Sequence, residues 1–474
     1  MKKHTSLLIL SFVLLIIGSI FSIVRAVKKY NKYAPVVDSV VAKLKYAAAV
    51  KRAENQAVED YAASLSDEVR MSQLFLVNIE GNEKFHSVEK TGVLYGKSRE
   101  GMPLVPGGVL LFSYNVSKDP LETYEFIKTI RDFYLENQNV PPYVAVDQEG
   151  GDVNRLRGLT STLLGQKNIA DSLTPERAEQ LYSAQARQIR NLGFHLNLAP
   201  VVEVENDSNR DFLDTRTFGN LEKVLLYGRI AVESYEKNGI GVVLKHFPGN
   251  SSVDPHVGLP KITFEESELA NYIKPFEQLL PESSGVLMSH AIMKPVSGGH
   301  IEEFEMPACF SHHWVTDVAR TQCMFQGIVI SDDIFMGALA KNGYPPEEAA
   351  VKAINAGVDV IMLSEKRFGH VAKILLEKAE TDENFAKEID RAVKNVIRYK
   401  IKAGILLMEE VEEIPKEISE STEENKNNKR KSAGSVKEAE MTVPAFSVRI
   451  NPNYEDFDLK KFDEDYKSGM AAYN

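Results

Sequence analysis

Eight short apolar runs fill the middle of the chain, and their spacing constrains the fold more than any other feature. They read "LFLVNI", "GVLLFSY", "YVAVDQ", "FHLNLAPV", "GVVLKHF", "GVLMSHA", "GIVISDD" and "VDVIMLS", between Leu65 and Ile405. Their hydrophobicity is continuous rather than alternating, which suits strands buried on both faces, as in a parallel sheet. Longer amphipathic segments separate most of them. Asp119-Pro120 and Thr174-Pro175 each put a capping side chain before a proline suited to the first helical position. The helix after Thr174 is expected to stop near Gly193, and Leu221 to Gly239 reads as another. Strands alternating with helices in this number predict an α/β fold, a (β/α)8 TIM-like barrel. A doubly wound open sheet is the alternative, because counting strands does not prove closure.

The polar residues favour the barrel. Asp147, Lys245, His246, Ser289, His290, Asp332 and Asp333 all stand at the C-terminal ends of their runs. In a (β/α)8 barrel those ends converge on one face, where catalytic sites are built. The net charge of -11 argues against a nucleic-acid partner. Only Cys309 and Cys323 are present, too few for a disulfide scaffold or a Cys-based zinc site. No H-x-x-x-H or H-E-x-x-H spacing occurs, so no metal and no cofactor are expected.

The ends of the chain read differently from its middle. Lys2 and Lys3 precede about 19 uncharged residues from Ser6 to Val24, enough to cross a hydrocarbon core of about 30 Å as a helix. No A-x-A cleavage site follows, so residues 1–34 are expected to form an uncleaved signal anchor, with a cleaved signal peptide as the alternative. The barrel would then be exported, periplasmic or extracellular, and tied to the membrane. Residues 35–63 read as a helical stalk and 64–406 as the barrel. Residues 407–474 read as a charged, low-complexity, disordered tail, most clearly from Glu409 to Glu440. The last 34 residues regain Tyr and Phe, a composition compatible with docking and without evident chemistry.

Four segments carry the chemistry: "YVAVDQEGGDVNRLRG", "DFLDTRTFGN", "LKHFPGNSSVDPHVGLP" and "GIVISDDIFMGAL". "DQEGG", "KHFPG" and "SDD" in that order resemble glycoside hydrolase family 3, in particular its β-N-acetylhexosaminidase branch. The resemblance runs from about Leu65 to Ile405. It implies a retaining hydrolase of terminal β-linked GlcNAc in peptidoglycan fragments, muropeptides or related glycans. It also implies that Asp332 is the nucleophile, forming a covalent glycosyl-enzyme. The general acid/base would be His256, held by Asp254. An imidazole titrating near pH 6.5 can protonate the leaving oxygen and then deprotonate water. Asp147, Arg155, Arg216, Lys245 and His246 would hold the sugar.

The residues taken alone leave other roles open. Asp147 and Arg155 also fit a rim ion pair, Arg216 a loop cap, His290 a buried hydrogen-bonding residue, and Asp333 a neighbour of the nucleophile. Where the family loop reads "KHFPGHG" before Asp-Ser-His, this chain reads "KHFPGNSSVDPH", about two residues shorter, with Pro255 inside the dyad. Proline fixes its own φ and biases Asp254 toward extended backbone. Asp152 replaces the basic residue usual after "DQEGG", and "NEKFHSVEKTGVLYGKSREGMPLVP" decorates the first barrel loop. A glycan-binding barrel without turnover, and a β-glucosidase or phosphorylase of the same family, are the competing functions.

Overall fold

Each of the eight apolar runs contributes a strand to one parallel sheet. The computed structural model describes residues 39–83, 104–254, 257–297, 301–363, 367–411 and 443–474. The strands are β1 (Phe75–Asn78), β2 (Gly108–Leu111), β3 (Tyr143–Val146), β4 (Leu196–Asn197), β5 (Gly241–Phe247), β6 (Gly285–Met288), β7 (Ile328–Ser331) and β8 (Ile361–Leu363). Their order across the sheet is β7-β6-β5-β4-β3-β2-β1-β8. The two outer strands meet: Ile330 bridges Val360 in parallel, and Ser331 N donates to Val360 O at 2.9 Å. That contact favours a barrel over an open sheet.

The helix signals hold where they can be checked. Helix α1 (Pro120–Glu136) starts after Asp119, whose Oδ1 accepts from Leu121 N at 2.8 Å. Helix α2 (Pro175–Asn191) starts after Thr174, with Pro175 in its first turn. Helix α3 (Leu221–Lys237) starts after Asn220, whose Oδ1 accepts from Lys223 N at 3.0 Å.

The barrel interior follows the two-residue period of a strand. Leu76, Leu110, Tyr143, Ala145, Leu196, Leu198, Val243, Leu287, Ile328, Ile330, Val360 and Met362 form one buried cluster. Each fully buried aliphatic side chain there contributes about 1.5–3 kcal/mol relative to exposure. The N-terminal end of the barrel is closed by α4 (Glu383–Lys402) and the residues after it. Val396, Tyr399, Ala403 and Ile405 join the same cluster. The Tyr399 hydroxyl donates to His195 O at 3.0 Å, and its ring meets Tyr143 edge-on at 5.3 Å.

The chain divides into two compact units, Met1–Ala57 with Met408–Ser447, and Val58–Leu407 with Val448–Asn474. In the first, residues 39–57 are helical. The second holds the barrel. The structure differs from the expected tail over its last part. Helix α5 (Leu459–Ala471) lies on α2, where Arg187 Nε pairs with Asp465 Oδ1 at 2.6 Å. Tyr473 Oη donates to Thr162 O at 2.9 Å in the same region. Aromatic and paired side chains after Val448 therefore fold onto the barrel despite the high local charge, because neighbours absorb both. Residues 412–442, the core of the expected low-complexity stretch, lie outside the described residues, as does the expected anchor. Among the described residues no helix is long and apolar enough to cross a membrane.

Candidate active site

Strand parity alone decides which side chains can enter the C-terminal mouth. Extending the inward-facing rows by one step reaches Asp147 beyond Tyr143 and Ala145 on β3, and Lys245 beyond Val243 on β5. The same step reaches Ser289 beyond Leu287 on β6, and Asp332 beyond Ile328 and Ile330 on β7. Register puts the last three on adjoining rows, since Phe247 and Ser331 both pair with Met288. Two strand spacings, about 10 Å of sheet, separate β5 from β7.

Asp147, Arg155, Arg216 and Lys245 are brought together around a buried carboxylate, Glu149. Lys245 Nζ lies 2.6 Å from Asp147 Oδ1 and 2.6 Å from Glu149 Oε1. Arg216 donates twice to Glu149, Nε to Oε2 at 2.8 Å and Nη2 to Oε1 at 2.9 Å. Arg155 Nη2 stands 3.6 Å from Asp147 Oδ2, with its guanidinium 5.3 Å from the Phe112 ring centre. Burial pushes the Glu149 carboxyl up, but Lys245 and Arg216 outweigh it and bring it down to about 2. Burial likewise disfavours the Lys245 cation, and Asp147 and Glu149 more than restore it, so its pKa lies above the usual value. The group is a fixed array of charges.

Local sequence explains how Arg155 returns to Asp147. Gln148–Gly150 pairs antiparallel with Val153–Asn154 through a turn at Gly150 and Gly151, with φ of 96° and 56°. A Cβ on Gly150 would lie 2.2 Å from Leu164 O, so glycine is required twice over. Gln148 pins the turn: its Nε2 donates to Asn154 Oδ1 at 2.9 Å and its Oε1 accepts from Leu156 N at 3.1 Å.

His246 is held by a residue that sequence reasoning missed. Its Nδ1–H donates to Glu203 Oε1 at 2.6 Å, since a carboxylate oxygen accepts. The same carboxylate accepts from His246 N at 3.2 Å and Asn250 N at 2.7 Å. Glu203 is thus a buried anchor for the ring and for the start of the loop after β5. Its signal was its position in "LNLAPVVEVEN", just past the fourth run, where the strand-end rule applies as it does elsewhere.

Asp332 and Asp333 have separate surroundings. Asp332 is buried, and its Oδ1 accepts from Asp333 N at 2.9 Å. Asp333 Oδ1 accepts from Phe335 N at 2.9 Å, and its carbonyl accepts from His290 Nε2 at 3.0 Å. His290 Nδ1 lies 3.3 Å from Cys309 Sγ, whose thiol is pushed well up by burial and by Asp332. His290 therefore shapes the turn that presents Asp332.

Of the expected dyad, Asp254 alone lies among the described residues. Asp254 stands on an exposed stretch of loop, and its carbonyl accepts from Val257 N at 2.9 Å and Gly258 N at 3.0 Å. The loop is tied at Ser252, whose N and Oγ both donate to Ser208 O, at 2.6 and 2.8 Å. His256 lies outside the described residues.

The ion-paired carboxylates, guanidinium groups and carboxylate-held imidazole stand at the strand tips of a parallel barrel, the face where (β/α)8 barrel enzymes build their sites. The profile of the glycosyl hydrolase family 3 N terminal domain matches residues 103–399, and the chain belongs to that family. It is 32% identical over 276 residues to a Beta-hexosaminidase of Tolumonas auensis, covering 56% of this chain and 78% of the relative. It is 26% identical over 320 residues to Beta-hexosaminidase A of Pseudoalteromonas piscicida, covering 62% of this chain but only 53% of that protein. A glycoside hydrolase family 3 beta-N-acetylglucosaminidase from Paenibacillus sp. shares the fold, with a TM-score of 0.64 and 24% identity. That match covers 72% of this chain and 63% of the other.

Proposed function

We propose that the barrel is a retaining β-N-acetylhexosaminidase that removes terminal β-linked GlcNAc from peptidoglycan fragments or related glycans. The observation that carries this reading is the charge layout. Asp147 and Glu149 are neutralised by Lys245, Arg155 and Arg216. Among the described residues no Lys, Arg or His forms an ion pair with Asp332, which leaves its carboxylate available for attack. Asp332 adds to the anomeric carbon as the glycosidic oxygen leaves with a proton, and water then releases the sugar with retained configuration. His256 delivers that proton and later removes one from water, with Asp254 supporting its cationic form. The polar groups of Asp147, Arg155, Arg216, Lys245 and His246 meet the hydroxyl and acetamido groups of the sugar. The apolar N-terminal stretch supports an exported enzyme held at the membrane.

The exposed position of Asp254 favours a second reading, a barrel that binds GlcNAc glycans with little or no turnover. One experiment separates the two. p-Nitrophenol release from the GlcNAc-β glycoside is measured for wild type and Asp332→Asn, with and without phosphate. Loss on the order of 10³-fold or more in the variant supports the hydrolase. GlcNAc binding without release in either protein supports the second reading. Release by wild type that Asp332→Asn leaves intact rejects the nucleophile assignment.

A further inference from the structure

A second recess lies at the opposite, N-terminal end of the barrel, where its lining residue Val144 stands three residues, about 10 Å of strand, before Asp147. It has a volume of about 260 Å³ and lies between α1, α2, the entries to β3 and β4, and the segment Asn451–Glu455. Its walls are apolar at Ile127 and Val144 and aromatic at Tyr454. Three nitrogen groups enter it. Arg131 lies over the Tyr454 ring, 4.1 Å from its centre, and its Nη2 reaches only neutral carbonyls, Pro452 O at 3.4 Å and Asn451 O at 3.5 Å. Arg190 Nη1 reaches Ala403 O at 3.4 Å, and its nearest carboxylate oxygen, on the exposed Glu455, is 3.9 Å from Nε.

His195 is the third, and it is 6% exposed. Its Nδ1 accepts from Val144 N at 3.2 Å, so the ring proton sits on Nε2. Among the described residues Nε2 has no acceptor. Burial, then Arg190, Lys400 and Arg131, keep the imidazole well below its usual pKa, so it stays a neutral donor. The Arg131 guanidinium bonded to neutral carbonyls, Arg190 with only a 3.9 Å contact to the exposed Glu455, and the His195 Nε2–H with no acceptor among the described residues favour an oxoanion, while the walls favour an apolar body.

We propose that this recess binds a small organic anion, a carboxylate or phosphate ester with an apolar body, and that the bound anion holds the C-terminal segment on the barrel. The segment supplies Tyr454 to one wall and is seated by Asn451, whose N donates to Ile405 O at 3.0 Å and whose Nδ2 donates to Gly404 O at 2.8 Å. Ligand and segment therefore complete one another. Neither Arg131 nor Arg190 belongs to the sugar site.

Calorimetric titration of the full chain with benzoate and, separately, with inorganic phosphate tests the proposal. Saturable binding is expected with at least one probe, undisturbed by saturating GlcNAc. Arg131→Gln and Arg190→Gln should each weaken it about 10-fold or more, the loss of one charge-assisted contact. Benzoate alone binding assigns a carboxylate; phosphate alone assigns a phosphate ester. The probe that binds should also slow proteolytic cleavage between residues 443 and 458. No binding by either probe, binding that both variants retain, binding displaced by GlcNAc, or cleavage indifferent to a bound probe overturns the proposal.

Discussion

Replacing Glu149 with Gln removes the carboxylate on which the sugar-site cations converge. Its carboxyl is brought from an ordinary 4.5 down to about 2, against a burial effect in the opposite direction. At about 1.4 kcal/mol per tenfold change in proton affinity, this depression corresponds to about 3 kcal/mol of stability at neutral pH. The folded pKa lies below the unfolded one, so the contribution is complete above about pH 4.5 and is lost as the pH falls toward about 2. The substitution also leaves Lys245 and Arg216 in a buried site with Asp147, and Glu203 near Arg216, as the remaining carboxylates, so the expected loss at pH 7 is about 3–5 kcal/mol. Urea denaturation measures it, and the gap between wild type and variant should narrow as the pH falls below 4.5. Adding Lys245→Met should cost less than the two separate losses combined, by about 1 kcal/mol or more. A loss under about 1 kcal/mol at pH 7, or a gap indifferent to acid, would refute the claim that this network organises the site.

Asp333→Asn should leave kcat within about 10-fold of wild type, because its side chain bonds the backbone of its own turn; steady-state kinetics beside Asp332→Asn checks this. Gly150→Ala should destabilise by about 2 kcal/mol or more, from its φ of 96° and the contact with Leu164 O. It should also raise KM by displacing Arg155 from Asp147, which thermal melts and sugar kinetics report separately.

Much of the barrel was legible because its determinants are local. Continuous apolar runs, capped helix starts and strand-end polar residues all follow from the chain a few residues at a time, and all eight runs are strands. Asp147, Lys245 and Asp332 could be placed at the mouth for the same reason. Between Asp332 and Asp333, it is Asp332 that continues the inward row of Ile328 and Ile330 on β7. Partner choice was less legible, because it depends on residues distant in the chain. Glu149 was given no role of its own, because its partner Arg216 stands 67 residues on. Glu203 was missed because its partner His246 is 43 residues away. The rim ion pair and the sugar-holding role for Asp147 and Arg155 were posed as alternatives, but a 3.6 Å pair at the mouth is compatible with both. The C-terminal helix was hidden by composition, since charge and small residues describe a tail until Arg187 and Asp465 are paired.

The two halves of the proposed chemistry rest on different kinds of structure. Asp147, Lys245 and Asp332 belong to strand ends, where closed hydrogen bonding and close packing leave little freedom. Asp254 and His256 belong to a loop whose length and composition depart from the family pattern. Loops tolerate such change more readily than the scaffold that carries them. Sugar affinity and rate should therefore respond to different substitutions. On the proposed reading, restoring Ser at Pro255 should alter kcat and leave KM nearly unchanged, because it touches the proton carrier and not the charged array. If KM moved as much as kcat, the loop would be part of the sugar-holding surface, and the division between rigid binding groups and a loop-borne acid would have to be abandoned.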